Sequence, residues 1–135
     1  MSEVYVSHVS TNDATATRIS FALKEAGIGT WVDHIHGGSD EETTAEEAQK
    51  ALKRCQAGLF ILSEDSLYSR KCEREWQAIL EQKKPLYVAL IELVPPDDLP
   101  AALWDRSVPY IDLIDDVEHG LTALVRKIAG TAALS

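Results

Sequence analysis

The sequence predicts one α/β domain, a flavodoxin-like three-layer sandwich with a five-stranded parallel sheet in the order 2-1-3-4-5. Strand-like and helix-like segments alternate along the whole chain, which is the pattern of successive βαβ units. Residues 57–62 and 86–91 are continuous apolar runs, as expected for strands covered by helices on both faces. The 135 residues are enough for one such domain with its own core.

Five strands and four main helices follow from periodicity and from start and stop signals. The predicted strands are residues 3–7, 28–32, 57–62, 86–91 and 108–113, and the predicted helices are residues 14–26, 45–54, 67–82 and 117–129. A polar loop at 33–43 precedes a capping-box pattern from Thr44 to Glu47, which places the second helix start at Ala45. Residues 95–98 break the chain, and 100–107 are irregular.

Residues 1–129 are predicted to form the domain, and the tail at 130–135 has the composition of a linker to a further domain. Thirteen basic and 22 acidic residues give a net charge of −9, which disfavours direct nucleic-acid binding. No apolar run approaches the roughly 20 residues of a membrane span. Cys55 and Cys72 are expected to be buried reduced thiols, which favours a cytoplasmic location.

Most familiar chemical motifs are absent: there is no GxGxxG, no Walker phosphate loop, no GxSxG and no HExxH. His34 and His36 are neighbours in the predicted loop, but no cysteine or acidic cluster completes a ligand set, so no metal site is predicted. Ser7 and His8 stand where a phosphoacceptor receiver domain has an acidic pair. A parallel sheet of this order binds ligands at the carboxyl ends of its strands, here residues 7–12, 33–43 and 63–75.

Five segments in sequence order carry a resemblance to a known family. They are residues 4–8 (VYVSH), 27–33 (GIGTWVD), 57–63 (AGLFILS), 69–75 (SRKCERE) and 85–90 (PLYVAL). Together they resemble the TIR (Toll/interleukin-1 receptor) domain, of the bacterial NAD-cleaving effector kind, over about residues 3–115. The segment 69–75 is the most specific, because it is similar to the family pattern Ser-x-Trp-Cys-x-x-Glu.

The resemblance implies cleavage of NAD+ at the nicotinamide–ribose bond, with Glu75 as the catalytic carboxylate. NAD+ is then a substrate, and no cofactor is expected. The substrate-binding candidates are His8, Ser10, Asp33, Ile35, Lys71 and Cys72. His8 occupies a position that is often aromatic in the family, and Lys71 stands where the family commonly has Trp.

Helical periodicity alone does not single out Glu75. A helical wheel puts Tyr68, Cys72 and Trp76 on the core-facing arc, with Ile79 and Leu80, while Glu75 and Glu73 fall on opposite flanks. The resemblance selects Glu75. The alternative is a solvated glutamate at the helix edge that pairs with Lys71 or Arg74.

Three functions stay open at this point. The first is an NAD+ nucleosidase of a prokaryotic defence system, activated by self-assembly through the loop at 33–43 and paired with a fused or separate sensor domain. The second is a non-catalytic TIR adaptor that signals through TIR–TIR contacts. The third is a generic nucleotide-binding or nucleoside-processing domain.

Overall fold

The computed structural model describes residues 3–105 and 107–134. Its five strands are β1 (Glu3–Ser7), β2 (Gly29–Val32), β3 (Ala57–Leu62), β4 (Leu86–Leu90) and β5 (Tyr110–Asp112). All pairings are parallel and the order is β2-β1-β3-β4-β5. The predicted fold class and strand order are confirmed. β1 therefore lies between β2 and β3, and its carboxyl end is the point at which the chain changes direction across the sheet.

Six α-helices connect and cover the strands in the described part of the chain. They are α1 (Asp13–Glu25), α2 (Asp33–His36), α3 (Glu41–Arg54), α4 (Glu64–Leu67), α5 (Arg70–Glu81) and α6 (Val117–Leu134). Single 3₁₀ turns lie at Ser10–Asn12, Pro96–Asp98 and Ala101–Trp104. Among the described residues, each helix is too short or too polar to span a lipid bilayer.

The predicted start of the second helix is wrong. α3 begins at Glu41, because the Asp40 carboxylate accepts a hydrogen bond of 2.7 Å from the Thr43 amide and caps the helix. Glu41 and Glu42 in the first turn add favourable interactions with the helix dipole. The predicted loop at 33–43 is correspondingly shorter and contains the single turn α2.

The predicted helix at 67–82 is two helices. Ser63 caps α4, and Ser69 caps α5 by accepting a hydrogen bond of 3.2 Å from the Cys72 amide. This break turns Tyr68 away from the core, where the helical wheel had placed it, and leaves it 63% exposed. Cys72 and Trp76 are buried as expected.

The core has one apolar layer on each face of the sheet. One layer packs against α1 and α6, and the other against α3 and α5. Successive side chains of a strand alternate between faces, so Val4 and Val6 join the first layer while Tyr5 points into the second. Tyr5 stacks there on Trp31 of β2, with ring centroids 5.1 Å apart.

The last helix extends beyond its predicted end at Ala129. α6 continues to Leu134, through most of the segment that was predicted to be a linker. Ser135 and Arg106, the latter in the predicted irregular segment 100–107, lie outside the described residues.

Close approach of α5 to β3 depends on Gly58. A Cβ atom added at this position would lie 2.7 Å from Ile79 Cγ1. We expect Gly58→Ala to lower the free energy of unfolding by about 1–3 kcal/mol through overpacking. Urea denaturation measures this loss, and it should shrink in an Ile79→Ala background if the clash is its cause.

Gly130→Ala is the matched control, because Gly130 is an exposed helical residue with open space around it. This variant should gain about 0.5–1 kcal/mol from helix propensity. A Gly58→Ala variant as stable as the parent would show that α5 does not need this close approach.

Candidate functional site

Glu75 lies in the second turn of α5 and is 7% exposed. Its carboxylate accepts hydrogen bonds from the Tyr5 hydroxyl and from Ser7 Oγ, the latter at 2.8 Å. Tyr5 and Ser7 are two residues apart on β1 and therefore face the same side of the sheet. The solvated helix-edge position considered for Glu75 is wrong, whereas Glu73 is exposed.

Burial raises the pKa of the Glu75 carboxyl, although the Lys71 charge and the two hydroxyl hydrogen bonds act in the opposite direction. Burial and the neighbouring Glu75 charge also raise the pKa of the Tyr5 hydroxyl, so this group stays protonated and remains a donor. A buried carboxyl with a raised pKa beside an open cleft is typical of functional sites.

Lys71 lies one turn before Glu75 but does not hydrogen-bond to it. Its Nζ donates to Asp33 Oδ2 at 2.7 Å and to the His8 backbone oxygen at 3.1 Å. Burial lowers the pKa of Lys71, but the Glu75 charge and the Asp33 hydrogen bond outweigh it and raise the pKa overall. Lys71 therefore stays charged and ties α5 to the start of α2.

A cleft of about 1050 Å³ opens beside these residues, between α2, α3 and α5. Of the candidates predicted from the sequence, Ser10, Asp33, Lys71 and Glu75 line it. This volume is slightly above the usual range of about 300–1,000 Å³ for small-molecule sites. The cleft lies at the carboxyl end of β1, as the strand order predicts.

Three predicted site residues do not line this cleft. Cys72 is fully buried, and burial raises the pKa of its thiol. The His8 side chain is 1% exposed and cannot stack on a substrate ring in this position. Ile35 is 44% exposed on α2, outside the set of lining residues.

The sequence interpretation missed Tyr5 and Ser7 as partners of Glu75, and Asp13 as a lining residue. Alternation along β1 places Tyr5 and Ser7 on one face of the sheet. Two hydroxyls on the same face were the sequence signal that could have indicated a polar partner for them. Which helix covers them depends on tertiary packing, which no local pattern encodes.

His8 and His34 come together at the rim of the cleft, with Asp13 and Asp33 beside them. His8 Nε2 lies 2.8 Å from Asp13 Oδ1, 3.2 Å from His34 Nδ1 and 3.6 Å from Asp33 Oδ1. His8, Asp33 and His34 bring three ligand-type atoms within 4.8 Å of one another, and the expectation that no metal binds near His34 stays a prediction. His36 is separate, since its Nδ1 accepts a hydrogen bond from the Val32 amide and burial lowers its pKa.

A family model described as "TIR domain" matches residues 4–125 of the chain. The chain belongs to the TIR domain family. The resemblance read from the five short segments is thereby confirmed at the level of the family.

Two solved structures share the fold of this TIR domain. The TIR domain of the Toll-related receptor TRR-2 from Hydra magnipapillata is 19% identical with a TM-score of 0.69, and the match covers 91% of this chain and 97% of that one. A metazoan TIR-STING receptor from C. gigas, in complex with 2',3'-cGAMP, is 20% identical with a TM-score of 0.68, covering 90% of this chain and 39% of the receptor. No significant match was found among curated proteins.

Glu75→Gln is expected to stabilise the TIR domain at high pH. Because the pKa of Glu75 is raised by folding, the parent loses stability as the pH rises from the unfolded-state pKa through the folded-state pKa. Glutamine does not titrate, so the variant should exceed the parent by on the order of 1 kcal/mol near pH 8, an increment common at functional sites. Urea unfolding at a series of pH values measures the difference, which should shrink toward pH 4.

Glu73→Gln on the exposed side of α5 is the control, and its difference from the parent should stay within about 0.5 kcal/mol at every pH. An advantage of Glu75→Gln that grew toward low pH would contradict the raised pKa.

Proposed function

We propose that this TIR domain is an NAD+ nucleosidase that cleaves the nicotinamide–ribose bond with Glu75 as its catalytic carboxylate. The observation that carries the proposal is the position of Glu75, buried under two hydroxyls of β1 and facing the cleft. Family membership supplies the precedent, since some TIR domains cleave NAD+.

The chemistry suits a single carboxylate. Ordinary glycosides need a second carboxyl group to protonate the leaving group. Nicotinamide in NAD+ is a cationic pyridinium and departs as a neutral base, so it needs no general acid. Glu75 has to hold the ribose by hydrogen bonding and stabilise the positive charge that develops at its anomeric carbon. The Tyr5 and Ser7 hydroxyls keep the carboxylate oriented for this task before the substrate arrives.

The rest of NAD+ needs cationic groups for its pyrophosphate. Lys71 and Arg74 are the cations that line the described cleft, and both belong to the same helix as Glu75. Lys71 now forms an ion pair with Asp33. We infer that the pyrophosphate of bound NAD+ also interacts with Lys71 and shares it with Asp33.

The nucleophile determines the product. Water as nucleophile gives ADP-ribose, and attack by the substrate's own adenine gives a cyclic product.

Activation by self-assembly belongs to the same proposal. The segment at 33–43 forms one wall of the cleft and carries Ile35, an exposed apolar side chain, on α2. Contact through this segment with a second copy would complete the open side of the site. We place this activity in the cytoplasm of a prokaryote, as the effector of a defence or immune signalling system governed by a fused or separate sensor domain.

The alternative is a non-catalytic TIR adaptor that acts through TIR–TIR contacts. One observation favours it: Lys71 occupies the position where the family commonly has Trp, and it binds Asp33 across the cleft instead of offering an aromatic face. An adaptor needs the same self-association but no turnover.

Nicotinamide release separates the two functions. The purified domain would be incubated with NAD+ both dispersed and clustered on beads, beside Glu75→Gln and the control Glu73→Gln, with folding checked by circular dichroism. We expect release by the clustered parent, a loss of at least about 100-fold in Glu75→Gln, and parental rates in Glu73→Gln.

Equal rates in the parent and Glu75→Gln would remove Glu75 from the mechanism. No release by the parent, dispersed or clustered, would make the adaptor the better account.

A further inference from the structure

Three ligand-type side chains, those of His8, His34 and Asp33, come together where β1 ends, and Asp13 lies beside the two imidazoles. His34 Nδ1 lies 3.2 Å from His8 Nε2, 3.4 Å from Asp13 Oδ1 and 4.0 Å from Asp33 Oδ1. The residues come from three separate parts of the chain: the end of β1, the start of α1 and α2. The order of β1 and β2 in the sheet brings them together.

The one proton that His8 Nε2 can carry is not enough to form hydrogen bonds with all the acceptor atoms around it. The Thr17 hydroxyl donates to the Asp13 backbone oxygen, so it accepts from His34 Nε2–H, and in the neutral imidazole the Nδ1 lone pair of His34 faces the cluster. His8 Nε2 then has three acceptor atoms within 3.6 Å, on His34, Asp13 and Asp33. One nitrogen carries at most one proton. Several acceptors around one point are better satisfied by a cation at that point.

The spacing matches one bound ion. Two imidazoles that share an ion through bonds of about 2.0–2.1 Å have nitrogens about 3.3 Å apart and ring centres about 5 Å apart. The His8 and His34 nitrogens are 3.2 Å apart and their ring centroids 5.1 Å apart. The point in the plane of these two nitrogens and Asp33 Oδ1 that is equidistant from all three lies about 2.1 Å from each, the usual length of Zn–N and Zn–O bonds.

We propose that His8, His34 and Asp33, with Asp13 adjacent to both imidazoles, form a binding site for a divalent cation of the zinc class. Two imidazoles and carboxylate oxygens suit Zn²⁺ and its first-row neighbours better than Mg²⁺ or Ca²⁺, which prefer oxygen ligands alone. The dication balances the two carboxylates. Asp33 Oδ2 keeps its bond to Lys71, because the ion uses the other oxygen.

The two imidazoles differ in whether the ring nitrogen that faces away from the ion has a hydrogen-bond partner. Thr17 fixes the tautomer of His34, whereas His8 Nδ1 is buried without a hydrogen-bond partner among the described residues. Loss of such a partner typically costs a metal site about 10–100-fold in affinity, so we expect weaker binding than at a fully supported site. The site stands independently of NAD+ cleavage, since occupancy is measured without substrate.

Isothermal titration of the tag-free domain with Zn²⁺ at constant neutral pH tests the site. His34→Gln is the informative variant, because His34 is 27% exposed in its side chain and its loss leaves the core intact, unlike that of buried His8. We expect one ion per chain in the parent and affinity reduced at least about tenfold in His34→Gln. The controls His36→Gln and His119→Gln change the two histidines outside the cluster and should bind as the parent does.

Cobalt(II) identifies the ligands. A Co²⁺ complex of imidazole and carboxylate has visible d–d bands without the sulfur-to-metal charge-transfer band of a thiolate complex. We expect d–d bands in the parent and their loss in His34→Gln. No Zn²⁺ binding by the parent, equal binding by His34→Gln, or a thiolate band from Cys55 or Cys72 would each overturn the proposal.

Discussion

The candidate site depends on one buried interaction, the carboxylate of Glu75 held by the Tyr5 and Ser7 hydroxyls. A charged group taken out of water is costly unless hydrogen bonds and opposite charges replace the lost solvent. Here two hydroxyls and the nearby Lys71 compensate only in part, since the pKa of Glu75 stays raised. Such a group destabilises the fold at neutral pH, and this is the usual relation between a functional site and its scaffold.

Several local features of the chain serve this contact. Ser69 caps α5 and so fixes where the helix starts, and with this start Glu75 faces β1. Gly58 on β3 lets the helix lie close to the sheet. The order β2-β1-β3 then separates the covering helices at the end of β1, and the cleft forms there. Lys71 and Arg74 give this cleft positive groups in a domain whose net charge is −9.

Strand order was predictable because buried strands alternating with helices leave few topologies. The cleft's place followed from that order. Glu75 could not be chosen over Glu73 by periodicity, because the rotation of a helix about its axis is settled by its cap and by packing. The same reason explains why the prediction for Tyr68 was wrong. The helix breaks between α4 and α5, so Tyr68 lies on the surface and not on the predicted core-facing arc. The direction in which these side chains point is therefore known only from the tertiary structure.

The cluster of His8 and His34 could not be predicted from the sequence either. These residues are 26 positions apart and belong to different elements, so no spacing motif connects them. His36, nearer in the sequence to His34, faces the Val32 amide instead. Ligand sets formed across parallel strands become visible only once the sheet order is known. The family resemblance includes His8 and Asp33 as substrate-binding candidates but does not reveal that they lie beside His34.

The central claim is that Glu75 is a buried, hydrogen-bonded carboxyl rather than an ordinary surface glutamate. The most direct measurement is a pH titration of its side-chain carboxyl carbon by NMR in protein labelled with ¹³C-glutamate, with the resonance assigned by its absence in Glu75→Gln. The account predicts a midpoint above the ordinary value of 4.5. A midpoint at or below 4.5 would contradict it.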